Sequence, residues 1–266
     1  MAFYGKSFLY DNIPSETYGL YILDFETTGG ITESEAGGET EPIEEWIYRR
    51  SKSYHYGNIM NTPLEFDLTV ASFDPIPGYD RGKILQWLLG RGTFKKLQIC
   101  EDDISNVYFN ALCTSAKTIY VGNVNRGMKL HFRCDSPYGW EFPKTITYTF
   151  TGNQIKNFVF DFYNSSDSDE YLYPIVDFTL NSIGNSISIQ NITTGETAFS
   201  FTGISPNENI VIDNYLKTIV SSTGLLRLNK FNKAWLRFIR GRNQLRVISG
   251  IGTLKITYSF PRKIGA

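Results

Sequence analysis

The residues of this chain that could do chemistry are few. Cys100, Cys113 and Cys134 are its thiols, and His55 and His131 its imidazoles. A tetrahedral zinc site draws its ligands from closely spaced pairs of such groups. Here no C-x-x-C pair exists and the two histidines are far apart. Cys134 stands near His131, one Cys and one His without a second pair. Unpaired spacing and an odd count read as free, buried or half-buried thiols in a reducing compartment. Glu101, Asp102 and Asp103 form an acidic run, but the spacing of a calcium-binding EF-hand is absent. Glu44 and Glu45 are adjacent, so on a strand they face opposite sides. A glycosidase pair would have to be assembled from separate elements. Gly250 and Gly252 make a G-x-G with no helix behind it, which does not cradle a phosphate. No nucleophile elbow occurs, and no local pattern supports a Ser-His-Asp triad. The expectation is a protein that is not an enzyme, with no catalytic residue, no metal ligand and no cofactor.

The elements that would carry these groups are mostly strands. Leu64, Phe66, Leu68 and Val70 alternate with Glu65, Asp67 and Thr69, the period of a half-buried strand. One helix is predicted over about residues 80–90. Asp80 is its expected N-cap, and Ile84, Leu85, Trp87, Leu88 and Leu89 form its apolar cluster. Gly90 and Gly92 are expected to supply left-handed C-terminal positions. Trp87 reads as a core anchor. Leu97–Cys100 and Val107–Cys113 read as strands paired around a turn. Thr118–Phe132 reads as strand, turn, strand. The two prolines and glycine of residues 136–145 mark a domain boundary. Beyond it, short strands and turns recur at regular intervals, as in a β-sandwich. The closing residues AWLRFIRGRNQLRVISGIGTLKITYSFPRK scan as three strands joined by a Gly-Arg-Asn turn and a Gly-x-Gly turn.

Composition excludes other classes. The 266 residues carry 26 Lys plus Arg against 27 Asp plus Glu, a net charge of −1, and 15% of them are aromatic. Disordered chains are poor in aromatics and rich in net charge. Non-specific nucleic-acid binders carry a basic excess. No secretory signal and no apolar run of membrane-spanning length is visible, so synthesis and assembly are expected in a cytoplasm, without membrane insertion. The near-neutral total conceals local segregation. Residues 29–45 hold Glu33, Glu35, Glu39, Glu41, Glu44 and Glu45 and read as an acidic loop or hairpin tip. The basic, aromatic stretch WIYRRSKSYHYG follows, with Trp46, Arg49, Arg50 and Lys52.

Several stretches together resemble the distal tail protein of long, non-contractile-tailed phages or prophages of Gram-positive bacteria. In the first half these are Tyr18-Gly19-Leu20, the acidic hairpin, and the Leu64–Phe73 strand ahead of the Arg81–Leu97 block. In the second half they are PIVDFTL (Pro174–Leu180), Ile187–Asn214, Lys217–Gly224 and the closing Phe231–Lys263. Relatives often carry a Gly-Arg-x-Gly turn where this chain has RRSKSYHYG. The resemblance implies a mainly β protein of two domains. Residues 1–140 would be a ring-forming β-domain with one helix and a protruding hairpin. Residues 141–266 would be a galectin-like or carbohydrate-module-like β-sandwich. It further implies a structural virion component at the tail tip, a homohexameric ring made in the bacterial host cytoplasm. That ring would join the major tail tube protein to a tail-associated lysin or fibre hub, with receptor-binding or baseplate proteins as further partners. DNA would pass through it only as cargo.

Opposite charges on one arm suit head-to-tail contacts that close by rotation. The expected subunit interface is therefore Glu33–Glu45 of one copy against Trp46, Arg49, Arg50 and Lys52 of the next. The other reading is a carbohydrate-binding adhesion module of the tail tip, with Trp235 as its glycan contact.

Overall fold

An alternating strand must bury one face. In the computed structural model Glu65–Ala71 does so: Phe66, Leu68 and Val70 are buried, whereas Glu65 and Asp67 are exposed. The structure describes residues 6–23, 40–60, 62–150, 158–181 and 185–264. The chain forms two compact units, Met1–Glu141 with Arg262–Ala266, and Phe142–Pro261.

The first unit contains β1 (Phe8–Tyr10), β2 (Ile13–Pro14), β3 (Tyr21–Ile22), β4 (Thr40–Glu45), β5 (Tyr54–Met60) and β6 (Glu65–Ala71). The helix α1 (Gly78–Leu89) follows, then β7 (Lys95–Ile99), β8 (Val107–Val121), β9 (Val124–Cys134) and β10 (Gly139–Glu141). The main sheet runs β2-β1-β7-β8-β9-β6-β3, with β10 paired to β8. Among the described residues, β4 and β5 lie outside it and pair with each other.

The helix is anchored by Trp87. Its ring stacks on Phe8 and Tyr18 with centroids 5.8 and 4.9 Å away, and its Nε1 donates to the Tyr10 carbonyl at 3.1 Å. The helix ends differ from expectation. Pro77 takes the N-cap position, because its fixed φ suits an entry and it lacks an N–H to satisfy. Asp80 lies inside the first turn and pairs with Lys83 at 3.7 Å. Gly90 has φ −76°, so it is not left-handed.

β8 is one strand of 15 residues rather than two segments. A register shift between Cys113 and Ser115 keeps it continuous, and its outer half loses the buried alternation that marks a strand in sequence. Gly122 and Asn123, with φ of 56° and 68°, close the tight β8–β9 turn.

The second unit contains β11 (Lys144–Phe150), β12 (Phe158–Asn164), β13 (Ile175–Leu180), β14 (Ser186–Asn191), β15 (Phe199–Thr202), β16 (Asn209–Asp213), β17 (Thr218–Ser221), β18 (Gly241–Ser249) and β19 (Gly252–Tyr258). The closing β20 (Pro261–Arg262), whose Arg262 belongs to the first unit, pairs with β10 of that unit. The sheets are β11-β19-β13-β16-β17 and β12-β18-β14-β15. Their inner faces meet in one core, including Val176, Phe178, Ile210 and Leu254 from the first and Phe162, Ile189, Phe199 and Val247 from the second. This is a β-sandwich.

Gly250 and Gly252 carry the chain from one sheet to the other, so they make an inter-sheet corner rather than a hairpin turn. A Cβ on Gly252 would sit 2.1 Å from the Thr179 carbonyl oxygen, at a φ of 151° that side chains rarely adopt.

The segment before β18, predicted as a strand, is largely irregular and makes isolated bridges at Phe231 and Phe238. Buried asparagines replace its ladder. Asn214 Oδ1 accepts from Leu236 N at 2.8 Å, Asn191 Nδ2 donates to the Arg237 carbonyl at 3.3 Å, and Asn243 Oδ1 accepts from Ile239 N at 3.0 Å. Side chains thus supply partners for these three backbone groups, and the bridge to Leu172 supplies them for Phe238. The Gly-Arg-Asn triplet begins β18 instead of forming a turn.

Candidate functional site

A two-stranded hairpin alone is marginal in water, and burial of an apolar face is its usual support. The β4–β5 hairpin lacks that support within the described chain. Its register pairs Glu44 with His55 and Glu45 with Tyr54, after an irregularity between Ile43 and Glu44. The residues between the strands form the tip, where Arg50 N donates to the Ile47 carbonyl at 3.1 Å and Arg49 is left-handed with φ 67°.

The tip is apolar as well as charged. Trp46 is 67% exposed and Tyr48 86%, a degree of exposure unusual for rings in a soluble domain. Ile43, Ile47, Tyr54 and Tyr56 are exposed beside them. Arg49 lies over the Tyr48 ring at 5.3 Å and Arg50 over Tyr54 at 4.8 Å. Arg50 also bonds the Tyr54 hydroxyl. Tyr56 donates its hydroxyl to Glu45 Oε2 at 2.9 Å, and that bond raises the phenol pKa.

The predicted interface residues thus separate into three groups. Glu41, Glu44 and Glu45 lie on the outgoing strand, and Trp46, Arg49, Arg50 and Lys52 in the tip. Glu33, Glu35 and Glu39 fall outside the described residues. The acidic stretch is therefore not the tip where it is described; residues 40–45 are a strand. Among the described residues, no ion pair joins Glu41, Glu44 or Glu45 to Arg49, Arg50 or Lys52. Arg49 and Arg50 instead face aromatic rings of their own hairpin.

The residues that suggested metal or thiol chemistry are held apart. His131 sits on the outer face of the main sheet, with Nδ1 at 2.7 Å from Asp67 Oδ1 and Nε2 at 3.5 Å from Glu65 Oε2. Lys129 and Arg133 extend this charge ladder, pairing with Asp67 at 3.1 Å and Glu65 at 3.3 Å. Cys134 is buried in the core, and burial pushes its thiol, like that of Cys113, up to about 12. No described cluster of three or more His, Cys, Asp or Glu residues is arranged to hold a metal ion. No described helix is long and apolar enough to cross a membrane.

Trp235 is half-buried. It packs against the sandwich core and meets Phe231 edge-on at 4.8 Å. Sequence reading missed the exposed tyrosines Tyr171 and Tyr215, because short loop segments give no periodicity to mark them.

These two units are those of a phage tail protein. Residues 3–136 match the family model of a phage tail protein N-terminal domain, and residues 138–258 that of a phage tail C-terminal domain. The chain belongs to this family. It is 26% identical over 256 residues to the SPbeta prophage-derived uncharacterized protein YomH of Bacillus subtilis (strain 168), covering 95% of this chain and 96% of that one. Its fold is that of SPP1 Dit, described as a paradigm of the hub adsorption apparatus in Gram-positive infecting phages. The TM-score is 0.68 at 13% identity, covering 96% of this chain and 98% of the other. The family models thus show a phage tail protein, and the fold is the one seen in SPP1 Dit.

Proposed function

We propose that copies of this chain close into a homohexameric ring at the distal end of the tail, and that the β4–β5 hairpin is the seam between neighbours. The observation that carries this reading is the hairpin itself. Its aromatic tip is exposed, it pairs with no described strand of the main sheet, and its described carboxylates and cations are unpaired with each other. A neighbouring copy supplies the missing apolar surface and the missing counter-charges through one repeated, head-to-tail contact. The role is structural rather than catalytic. The ring joins the tail tube above to the hub or lysin below, and leaves a channel through which DNA passes. A chain of near-zero net charge suits a wall along which DNA slides.

The charge half of this seam is testable by itself. Replacing Arg49, Arg50 and Lys52 together with serine is expected to convert hexamers to monomers in light scattering at moderate salt. The wild type should show the same drift as salt is raised, since exposed ion pairs are screened. Hexamers that persist in the triple variant would assign the seam to other residues.

A further inference from the structure

A ring closed by head-to-tail contacts needs two unlike faces on every copy. The hairpin tip supplies one. The first unit also exposes a second apolar corner, where the β8–β9 turn meets the loop that leads into α1.

That corner is rigid. Pro75 and Pro77 restrict the loop, and Ile76 between them is buried. Ser72 N donates to the Arg126 carbonyl at 2.8 Å, and Ile76 N to the Asn125 carbonyl at 3.0 Å. Arg126 Nη1 bonds the Phe73 carbonyl, and Arg81 Nη1 donates to the Tyr120 hydroxyl at 3.3 Å. Loop, β8–β9 turn and first helical turn are thereby tied together.

The corner nevertheless turns rings to solvent. Phe73 is 80% exposed, Tyr79 76% and Tyr120 56%, with Val121 and Val124 exposed beside them. Rings of this size leave about 400 Å² uncovered. That is the scale of functional patches on single chains, and close to the roughly 450 Å² of apolar area on one side of a standard interface. Rings on a rigid support lose little entropy on docking.

Charge selects the occupant. Among the described residues, Arg81 and Arg126 meet neutral oxygens and no carboxylate, and Asp74 meets no cation. The β4–β5 hairpin holds the complement: Glu41 and Glu44 without a described cation, and Arg49, Arg50 and Lys52 without a described carboxylate. A corner-to-corner contact would close a dimer and leave no face for a ring.

We propose, on the premise of that ring, that this corner is the socket for the hairpin of the next copy. Trp46 and Tyr48 of one copy seat on Phe73, Tyr79 and Tyr120 of its neighbour. Glu41 and Glu44 then face Arg81 and Arg126, and the tip cations face Asp74.

Cross-linking tests the pairing of the two faces. Ser51, in the tip, and Lys83, one helical turn beyond Tyr79, are exposed and are not anchors of the contact. Ser51→Cys and Lys83→Cys chains are made separately in a Cys100→Ser background, mixed at high salt, and returned to low salt so that seams re-form between them. A short bismaleimide is expected to give a covalent dimer from the mixture and from neither variant alone. Leu226→Cys, at a side chain 92% exposed on the second unit, should give none in place of Lys83→Cys. Arg81→Glu is expected to raise the concentration at which rings dissociate by about tenfold or more in light scattering, because it sets like charges against each other. Thermal melts verify that each variant folds. Rings without the mixed dimer would overturn the socket and leave the ring standing. So would a dimer from Lys83→Cys alone, an equal yield with Leu226→Cys, or a dissociation midpoint unmoved by Arg81→Glu. Absence of rings from the Cys100→Ser chain would overturn both.

Discussion

Glu208→Gln is expected to lower the melting temperature of the second unit by roughly 5–15 °C in calorimetry. Glu208 is 2% exposed and Arg227 8%, and the two make a forked pair with Nε–Oε1 at 2.6 Å and Nη2–Oε2 at 2.5 Å. Ser221 donates to Oε1 at 2.5 Å and the Ser205 backbone N–H to Oε2 at 3.1 Å. The carboxylate thus ties together three places in the chain: the loop before β16, the end of β17 and the segment at Arg227. Glutamine keeps the shape but removes the charge, which leaves the guanidinium without its counter-ion. Adding Arg227→Met should recover part of the loss, because with both ionic groups gone no charge is left stranded.

The same pair sets an acid limit. Arg227 first, and then the hydroxyl and amide donors, hold the Glu208 pKa at about 2, below its ordinary 4.5. A group with a lowered folded pKa stabilises above its unfolded value. Its contribution is whole above about 4.5 and disappears as pH falls towards about 2. The difference in melting temperature between wild type and Glu208→Gln should therefore shrink across that window. A constant difference would show that the charge is not what stabilises the unit.

Replacing Trp46, Ile47 and Tyr48 together with serine is expected to abolish the ring and to give a monomer that melts with the monomeric Arg49, Arg50 and Lys52 variant, both lacking only the stabilisation that association adds. All three side chains are exposed in the single chain, so their loss removes little packing there. At an interface the balance reverses. Truncated Trp and Tyr anchors typically cost about 2 kcal/mol or more each, which for two anchors weakens a contact by about a thousandfold. In a closed ring every seam carries the loss. A stable, monomeric variant is the predicted outcome. A variant that melts well below that other monomer would place these residues in the fold of the unit instead.

Much of this architecture was legible in the sequence where burial follows a simple period. Leu64–Val70 declared its strand, and β13, β14 and β16 are among the short strands expected beyond the domain boundary, because each alternates core and surface residues. The helix was legible for the same reason, through Ile84, Trp87 and Leu88, although its entry was set by Pro77 rather than Asp80. Periodicity was lost where side chains replaced backbone partners. The apolar run around Leu236 and Phe238 resembles a strand, but Asn191, Asn214 and Asn243 take up hydrogen bonds that a ladder would have made. It was misleading at β4, where Pro42 and a dense run of glutamate disfavour a strand that forms nonetheless. The hairpin's charge segregation was visible, but the exposure of Trp46 and Tyr48 was not, since exposure belongs to the packed chain. The exposed Tyr171 and Tyr215 of the second unit stand in loops distant in sequence and left no local signal.

Electron microscopy of the purified chain tests the central claim most directly. The scaffold account predicts closed rings of six copies of the 30.3 kDa chain around an open channel, disassembled by the hairpin-tip substitutions. Monomers, open filaments or trimers from the unmodified chain would contradict it.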